Sequence, residues 1–126
     1  MSPKAKAVSQ VITDKDIDGS VGYLPDAYSE FVKRYPKIDK AYDTLAKACH
    51  EGGPLDKKTR RLIKLGIAIG LNSEGGVRSH ARRAIQEGIS ADEIRHVVLL
   101  TFTTAGFPHM ISAYKWVEEV LAKNSG

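Results

Sequence analysis

Apolar residues recur every three or four positions along the chain from Pro25 onward. Side chains at this spacing share one face of an α-helix, so the pattern predicts a succession of amphipathic helices. Pro36 interrupts the pattern and must end one helix or begin the next. The first two stripes consist of Tyr28, Phe31, Val32 and Tyr35 before Pro36, and of Ile38, Tyr42, Leu45 and Cys49 after it.

The segment "LDKKTRRLIKLGIAIGL", residues 55–71, changes from basic to apolar halfway along its length. It follows "EGGPL", residues 51–55, whose glycines and proline predict a turn. A helix that is polar at one end and apolar all round at the other is expected to enter a core or an interface.

Signals for helix ends divide the remainder of the chain. Asn72 or Ser73 can cap a helix that stops at Gly88, a residue type that tolerates left-handed backbone. Ser90 and Glu93 in "SADE" have the spacing of a capping box and start another helix. Gly106 and Pro108 break that helix, and a last amphipathic helix follows. The buried stripe of the helix before Gly88 is predicted to be Val77, Ala81, Ala84 and Ile85.

The pattern therefore predicts an all-α protein, a single-domain bundle of about six helices. The helical domain is expected to occupy residues 25–126. The polar residues 1–24, with their glycines, are expected to form an N-terminal arm.

Composition narrows the class of partner. The chain has 126 residues, with 19 Lys and Arg against 15 Asp and Glu. This mild excess suits a small anionic substrate and does not predict nucleic-acid binding. The N-terminal residues lack the apolar core of a signal peptide, and no apolar run is long enough to span a membrane. A cytoplasmic protein without membrane contact is expected.

Cys49 is the only cysteine, so neither an intrachain disulfide nor a CxxC redox pair can form. We interpret it as a small buried thiol, the commoner role of a lone cysteine. The histidines are dispersed without metal-ligand spacing, and no glycine-rich phosphate loop follows a strand. Neither a metal nor a cofactor is expected.

His80 is the candidate for acid or base chemistry. It borders the apolar stripe of its helix, where an imidazole can titrate near neutral pH. The alternative is a histidine that only bonds a backbone carbonyl. Arg83 lies three residues away and Arg61 should approach from the preceding helix, and guanidinium groups bind carboxylates bidentately.

Other polar residues are assigned by position. His109 opens the last helix, where it is either a second polar group of the site or an exposed first-turn residue. We interpret Arg78 and Arg82 as a solvated helix face. His96 is expected on the surface or in an interface. The apolar segments "LGIAIGL" and "VVLLTF" exceed what one small protomer needs, so a homo-oligomer is expected.

Three motifs in order carry a family resemblance: "LDKKTRRLIKLGIAIGL", "HARRAIQEGISADEIRHVVLL" and "AGFP". Their sequence resembles the carboxymuconolactone decarboxylase family, which includes the alkylhydroperoxidase D-like proteins. The resemblance covers most of the chain after the N-terminal arm. It implies an all-helical fold that assembles into trimers or hexamers.

The resemblance also implies which chemistry is retained. The thiol-peroxidase branch has a Cys-x-x-Cys pair shortly before its histidine and a glutamate on the preceding helix. If His80 matches that histidine, the cysteine positions fall on Ser73 and Gly76, and the glutamate position falls near Arg61. A hydroxyl and a missing side chain cannot cycle between dithiol and disulfide. The decarboxylase branch has a glutamate one turn before the histidine; that place is Gly76 here, with Glu74 nearby.

Two hypotheses follow. The first is a cofactor-free enzyme that decarboxylates or isomerises a small carboxylated lactone, with His80 catalytic and with Arg61, Arg83, His109 and Glu74 binding substrate. The second is a non-catalytic oligomeric homologue or small-molecule binder. A thiol peroxidase, which would need Cys49 to act alone, ranks behind both.

Overall fold

The computed structural model describes residues 24–124, which form six helices. No strand occurs within that range, so the prediction of an all-α fold with about six helices is confirmed. The predicted arm, residues 1–24, lies outside the described residues except for Leu24. The helices are α1 (Leu24–Arg34), α2 (Pro36–His50), α3 (Lys57–Gly70), α4 (Glu74–Gln86), α5 (Ala91–Thr101) and α6 (Phe107–Asn124).

The chain divides into two compact units, residues 1–54 and residues 55–126. In the first unit α1 packs against α2, and Pro36 is the first residue of α2. The Tyr28 hydroxyl donates a hydrogen bond to Asp39 Oδ1 at 3.3 Å, and Asp39 is buried. A buried carboxylate needs such partners because it has lost its water.

Cys49 is exposed, which corrects the expectation of a buried thiol. The physical reason is that the stripe to which it belongs is exposed along its length. Ile38, Tyr42 and Leu45 on the same helix are 55–59% exposed.

In the second unit α4 packs against α3 and α6, and α5 packs against the same two helices. Most of the predicted stripe of α4 lies at the centre: Val77, Ala81 and Ala84 are fully buried, and Ile85 is partly buried against them. Each fully buried large aliphatic side chain favours folding by roughly 1.5–3 kcal/mol. The other fully or almost fully buried side chains of this core are Leu65, Ile69, Ile94, Val98, Ala113, Val117 and Val120.

Local signals set the helix ends much as predicted. Ser73 Oγ accepts a hydrogen bond from the Gly76 amide at 3.2 Å and caps α4. Ser90 and Glu93 form both bonds of the predicted capping box at the start of α5. Gly88 has a φ of +86°, a left-handed conformation that a glycine adopts without strain.

Large apolar side chains are exposed on the second unit as well as the first. Ten of them are at least 43% exposed: Leu55, Ile63, Ile67, Leu71, Leu99, Leu100, Phe102, Phe107, Ile111 and Tyr114. Trp116, in contrast, packs against the core. None of the helices within residues 24–124 combines the length and apolarity that crossing a membrane requires.

Candidate functional site around His80

Arg61 and His80 are in direct contact. Arg61 lies in the second turn of α3 and His80 in the middle of α4, and the packing of these helices brings the side chains together. Arg61 Nη1 is 2.8 Å from His80 Nδ1. The approach of Arg61 from the preceding helix is therefore as the sequence predicted.

This contact determines the tautomer of His80. A guanidinium group has only N–H donors and stays protonated in proteins. Arg61 Nη1 must therefore donate to His80 Nδ1, which offers its lone pair. The ring is then neutral, and its proton is on Nε2. His80 is half-buried, so the bond is only partly screened by water.

Arg61 is held from its other edge by Glu87. Arg61 Nε donates to Glu87 Oε1 at 3.1 Å, and Nη2 donates to Oε2 at 2.8 Å. Such paired bonds fix the plane of the guanidinium as well as its position. Only 8% of the Arg61 side chain and 16% of the Glu87 side chain are exposed, so this is a shielded ion pair.

Sequence reasoning did not include Glu87 in the site. The signal was present, because Glu87 follows His80 by seven residues, and residues two turns apart on a helix lie on the same face. The motif contains both, as "HARRAIQE".

Two opposing effects act on the pKa of Glu87. Burial raises the pKa of the carboxyl, whereas the hydrogen bonds and charge of Arg61 lower it. Lys57 and Arg83 are near enough for their charges to lower this pKa further. The net result is a pKa below the usual value, so Glu87 is ionised at neutral pH. The charges of three cations thus act on the Glu87 carboxylate.

Arg78 and Arg82 do not form the predicted solvated face. Arg82 is 2% exposed, and 14% of the Arg78 side chain is exposed. Arg78 bridges two helices by donating to Glu74 at 3.0 Å and to Glu119 of α6 at 2.6 Å. The prediction fails because α4 is covered on more than one side, and long basic side chains are buried along their stems.

The other predicted substrate contacts lie in the same unit. Arg83 is half-buried on α4, close to Glu87. His109 is half-buried in the first turn of α6. Glu74 is in the first turn of α4 and is bound by Arg78. His96 is exposed on α5, as expected for a surface residue. The roles of Arg61, Arg83, His109 and Glu74 toward a substrate stay predictions.

Ser73 and Gly76, the positions that the resemblance matches to the thiol pair, have structural roles. Ser73 is the N-cap of α4, and Gly76 lies where this helix meets α3. A Cβ added at Gly76 would lie 2.9 Å from Ser73 Oγ and 3.2 Å from Ala68 Cβ. The fold leaves little room there for a cysteine or a glutamate side chain. Within residues 24–124, no three His, Cys, Asp or Glu residues cluster in a way that could hold a metal ion.

Solved structures share this fold. A carboxymuconolactone decarboxylase family protein from Legionella pneumophila matches with a TM-score of 0.73 at 22% identity, over 87% of this chain and 97% of that one. A family member from Thermotoga maritima matches with a TM-score of 0.62 at 29% identity, over 81% of this chain and 92% of that one. A part in an antioxidative response has been suggested for the Thermotoga protein.

Relatives at the sequence level include proteins of unknown and of known activity. An uncharacterized protein of Methanocaldococcus jannaschii is 29% identical over 78% of this chain and 92% of its own length. The 4-carboxymuconolactone decarboxylase of Acinetobacter baylyi is 30% identical, over 52% of this chain and 49% of the decarboxylase. The sequence model of the carboxymuconolactone decarboxylase family matches residues 36–119. The chain belongs to the carboxymuconolactone decarboxylase family.

Proposed function

We propose that this protein performs cofactor-free acid/base chemistry on a small carboxylated lactone, either decarboxylation or isomerisation. The observation that carries the proposal is the hydrogen bond from Arg61 to His80 Nδ1, which orients the imidazole and leaves its proton on Nε2. Membership of the family and the partial match to a 4-carboxymuconolactone decarboxylase support it.

Decarboxylation needs a group that stabilises the negative charge formed when carbon dioxide leaves. When a carboxylate leaves as carbon dioxide, its C–C bond breaks and the electron pair moves into the conjugated carbonyl, which becomes an enolate. A neutral imidazole N–H can stabilise that oxygen as an electrophile. His80 Nε2–H is such a donor, and it can then protonate the enolate carbon; the ring becomes an imidazolate and takes a proton back from solvent at Nε2. Arg61 at Nδ1 stabilises the electron-rich ring.

The substrate carboxylate needs a cationic ligand. Arg61 and Arg83 are the proposed ligands, because a guanidinium group binds a carboxylate bidentately. The three cations that act on Glu87 suit an anionic substrate. His109 and Glu74 remain the proposed polar contacts to the rest of the lactone.

We propose that the protein is cytoplasmic and that it assembles into a homo-oligomer, either a trimer or a hexamer. The exposed apolar side chains on α5 and α6, including Leu99, Leu100 and Ile111, would be covered by a second copy. Light scattering should give a mass several times the 13.8 kDa of the chain. A mass of one chain would contradict the assembly without bearing on the chemistry.

Release of carbon dioxide from 4-carboxymuconolactone and related carboxylated lactones tests the proposed reaction. His80→Ala should lower turnover by about 10²–10⁴-fold, the usual contribution of a positioned acid or base. His96→Ala is the matched control, because His96 is an exposed histidine on α5, and it should keep wild-type turnover. Equal turnover by His80→Ala and wild type would remove His80 from the mechanism.

The second candidate is a non-catalytic oligomeric homologue that binds a small acid. It is favoured by Ser73 and Gly76, which replace the side chains that act elsewhere in the family, and by the Glu87 carboxylate that already binds Arg61. This function predicts that calorimetry detects lactone binding while no lactone is consumed.

Thiol peroxidase activity is the third candidate, and Cys49 would have to carry it alone. The response suggested for the Thermotoga relative makes peroxide consumption worth measuring. Consumption that persists in Cys49→Ala would exclude a thiol mechanism.

A further inference from the structure

Glu87 lies one contact away from His80, on the far side of Arg61. We propose that Glu87 is a positioning residue that sets the tautomer of His80 through Arg61. Its effect on turnover rests on the proposed function, whereas its effect on the tautomer does not.

The geometry of the guanidinium links the two residues. Glu87 binds the edge formed by Nε and Nη2 at 3.1 and 2.8 Å, and His80 accepts from Nη1 at 2.8 Å. Because the guanidinium is planar and rigid, fixing one edge fixes the direction in which the other nitrogen points. Glu87 thereby aims the Arg61 donor at Nδ1.

Charge compensation is the second link. Arg61 is 7% exposed, and a shielded cation without an anion would tend to turn toward water. Lys57 and Arg83, whose charges also act on Glu87, are further cations in this region. The Glu87 carboxylate is what allows Arg61 to stay against a neutral imidazole.

The position of Glu87 on its helix supports a dedicated role. Glu87 is the C-cap residue of α4, directly before Gly88. The C-terminal end of a helix carries partial negative charge, so a carboxylate is disfavoured there. The ion pair with Arg61 explains why a carboxylate is present at a helix end that would otherwise disfavour it.

Glu87→Gln tests the proposal, because glutamine has nearly the same shape but no charge and only one acceptor oxygen. Nitrogen-15 NMR of the His80 side chain should show the proton on Nε2 in the wild type. In Glu87→Gln the signals should move toward a mixture of the two tautomers. Glu118→Gln is the matched control: it removes the carboxylate of another bidentate pair, formed with Arg95 at 2.7 and 3.0 Å, and should leave the His80 signals unchanged.

A second variant keeps the test decisive if Glu87→Gln fails to fold. Arg61→Met combined with Glu87→Gln removes both charges together, so no uncompensated cation is left in the fold. It should show the same mixture of tautomers. Wild-type His80 signals in either folded variant would overturn the proposal.

Turnover separates this proposal from the proposed function. If the wild type consumes a lactone, Glu87→Gln should lower kcat by on the order of 10²–10⁴-fold, as loss of a tautomer-setting carboxylate does elsewhere, with little change in KM. If no lactone is consumed, the proposed function fails while the nitrogen signals still decide the role of Glu87.

Discussion

The Arg61 guanidinium determines which nitrogen of the His80 imidazole carries the proton. Arg61 can only donate, so Nδ1 cannot hold a proton while the 2.8 Å contact exists. A second proton on the ring would place two cations face to face and break that contact. His80 is therefore suited to act through Nε2–H, as a neutral donor, more than as a base at Nδ1.

Arg61→Lys tests whether the fork of the guanidinium matters beyond its charge. A lysine ammonium has no planar fork, so it cannot hold both Glu87 oxygens and His80 in one fixed geometry. We expect turnover of the lactone to fall and the free energy of unfolding to drop by about 1–3 kcal/mol. Steady-state kinetics and chemical denaturation measure the two effects.

Arg95→Lys serves as the control for that substitution. Arg95 forms a comparable bidentate pair with Glu118, but 45% of its side chain is exposed. A surface pair of this kind contributes little, so stability should change by no more than roughly 0.5 kcal/mol. Identical behaviour of the two lysine variants would mean that Arg61 has no special role.

The sequence predicted part of this site and missed the rest for separable reasons. Helical spacing and the order of α3 and α4 were enough to bring Arg61 to His80. The pairing of Arg61 with Glu87 was missed. Glu87 shares a helix face with His80, but a shared face does not show which cation the carboxylate will bind. Arg82 was misassigned because a basic residue in a helix is usually solvated, and only the packed neighbours show that it is buried.

At the scale of the helix, the start of α4 is shaped by its contact with α3. The Gly76 amide donates the capping hydrogen bond to Ser73 Oγ, and Gly76 lies against Ala68 of α3. The same position would carry a functional side chain in the branches that the sequence resembles. A glycine at this position allows the two helices to approach closely.

Gly76→Ala should destabilise the protein, although alanine normally favours a helix over glycine by up to about 1 kcal/mol. The added methyl group would approach Ser73 Oγ to 2.9 Å, so the hydroxyl must rotate and give up its cap, a loss of about 1 kcal/mol. Ala68, at 3.2 Å, would also have to shift. Thermal unfolding should show a lower Tm.

Gly70→Ala is the control at the end of α3, where an added Cβ would meet nothing within 4 Å. Its Tm should stay the same or rise. A higher Tm for Gly76→Ala as well would show that the contact between α3 and α4 is looser than described.

Helix limits were the most predictable feature of the fold. Ser90 and Glu93 specify the start of α5 by bonds within four residues, and Gly88 specifies the end of α4 by its own conformation. These signals are local and survive without tertiary structure. The exposure of Cys49 was not predictable in this way, because periodicity shows that a stripe is apolar and not what covers it.

At the scale of the whole molecule, ion pairs should make the free energy of unfolding depend on pH in the acidic range. The pKa values of Asp56, Glu87, Glu93, Glu118 and Glu119 lie below their usual values, each bonded to a cation or a backbone amide. A carboxyl with a lowered pKa stabilises the folded state above its unfolded pKa. That contribution is lost as the pH falls through the folded value.

Glu93 gives the clearest window. Hydrogen bonds from Lys58 and from Ser90 lower the pKa of Glu93 from 4.5 to about 2. Denaturant titrations should show that the free energy of unfolding decreases as the pH is lowered from about 6 to about 2. Glu93→Gln should reduce the slope across this window, because the variant lacks this contribution at neutral pH and approaches the wild type at low pH. Stability that is flat or rises on acidification would contradict these ion pairs.

The most direct test of the central claim is the protonation of His80 in the wild-type protein, read by nitrogen-15 NMR of its side chain at neutral pH. We predict a neutral ring with the proton on Nε2 and a bare Nδ1 that accepts from Arg61. A proton found on Nδ1, or a doubly protonated ring, would contradict the claim that Arg61 prepares His80 for chemistry.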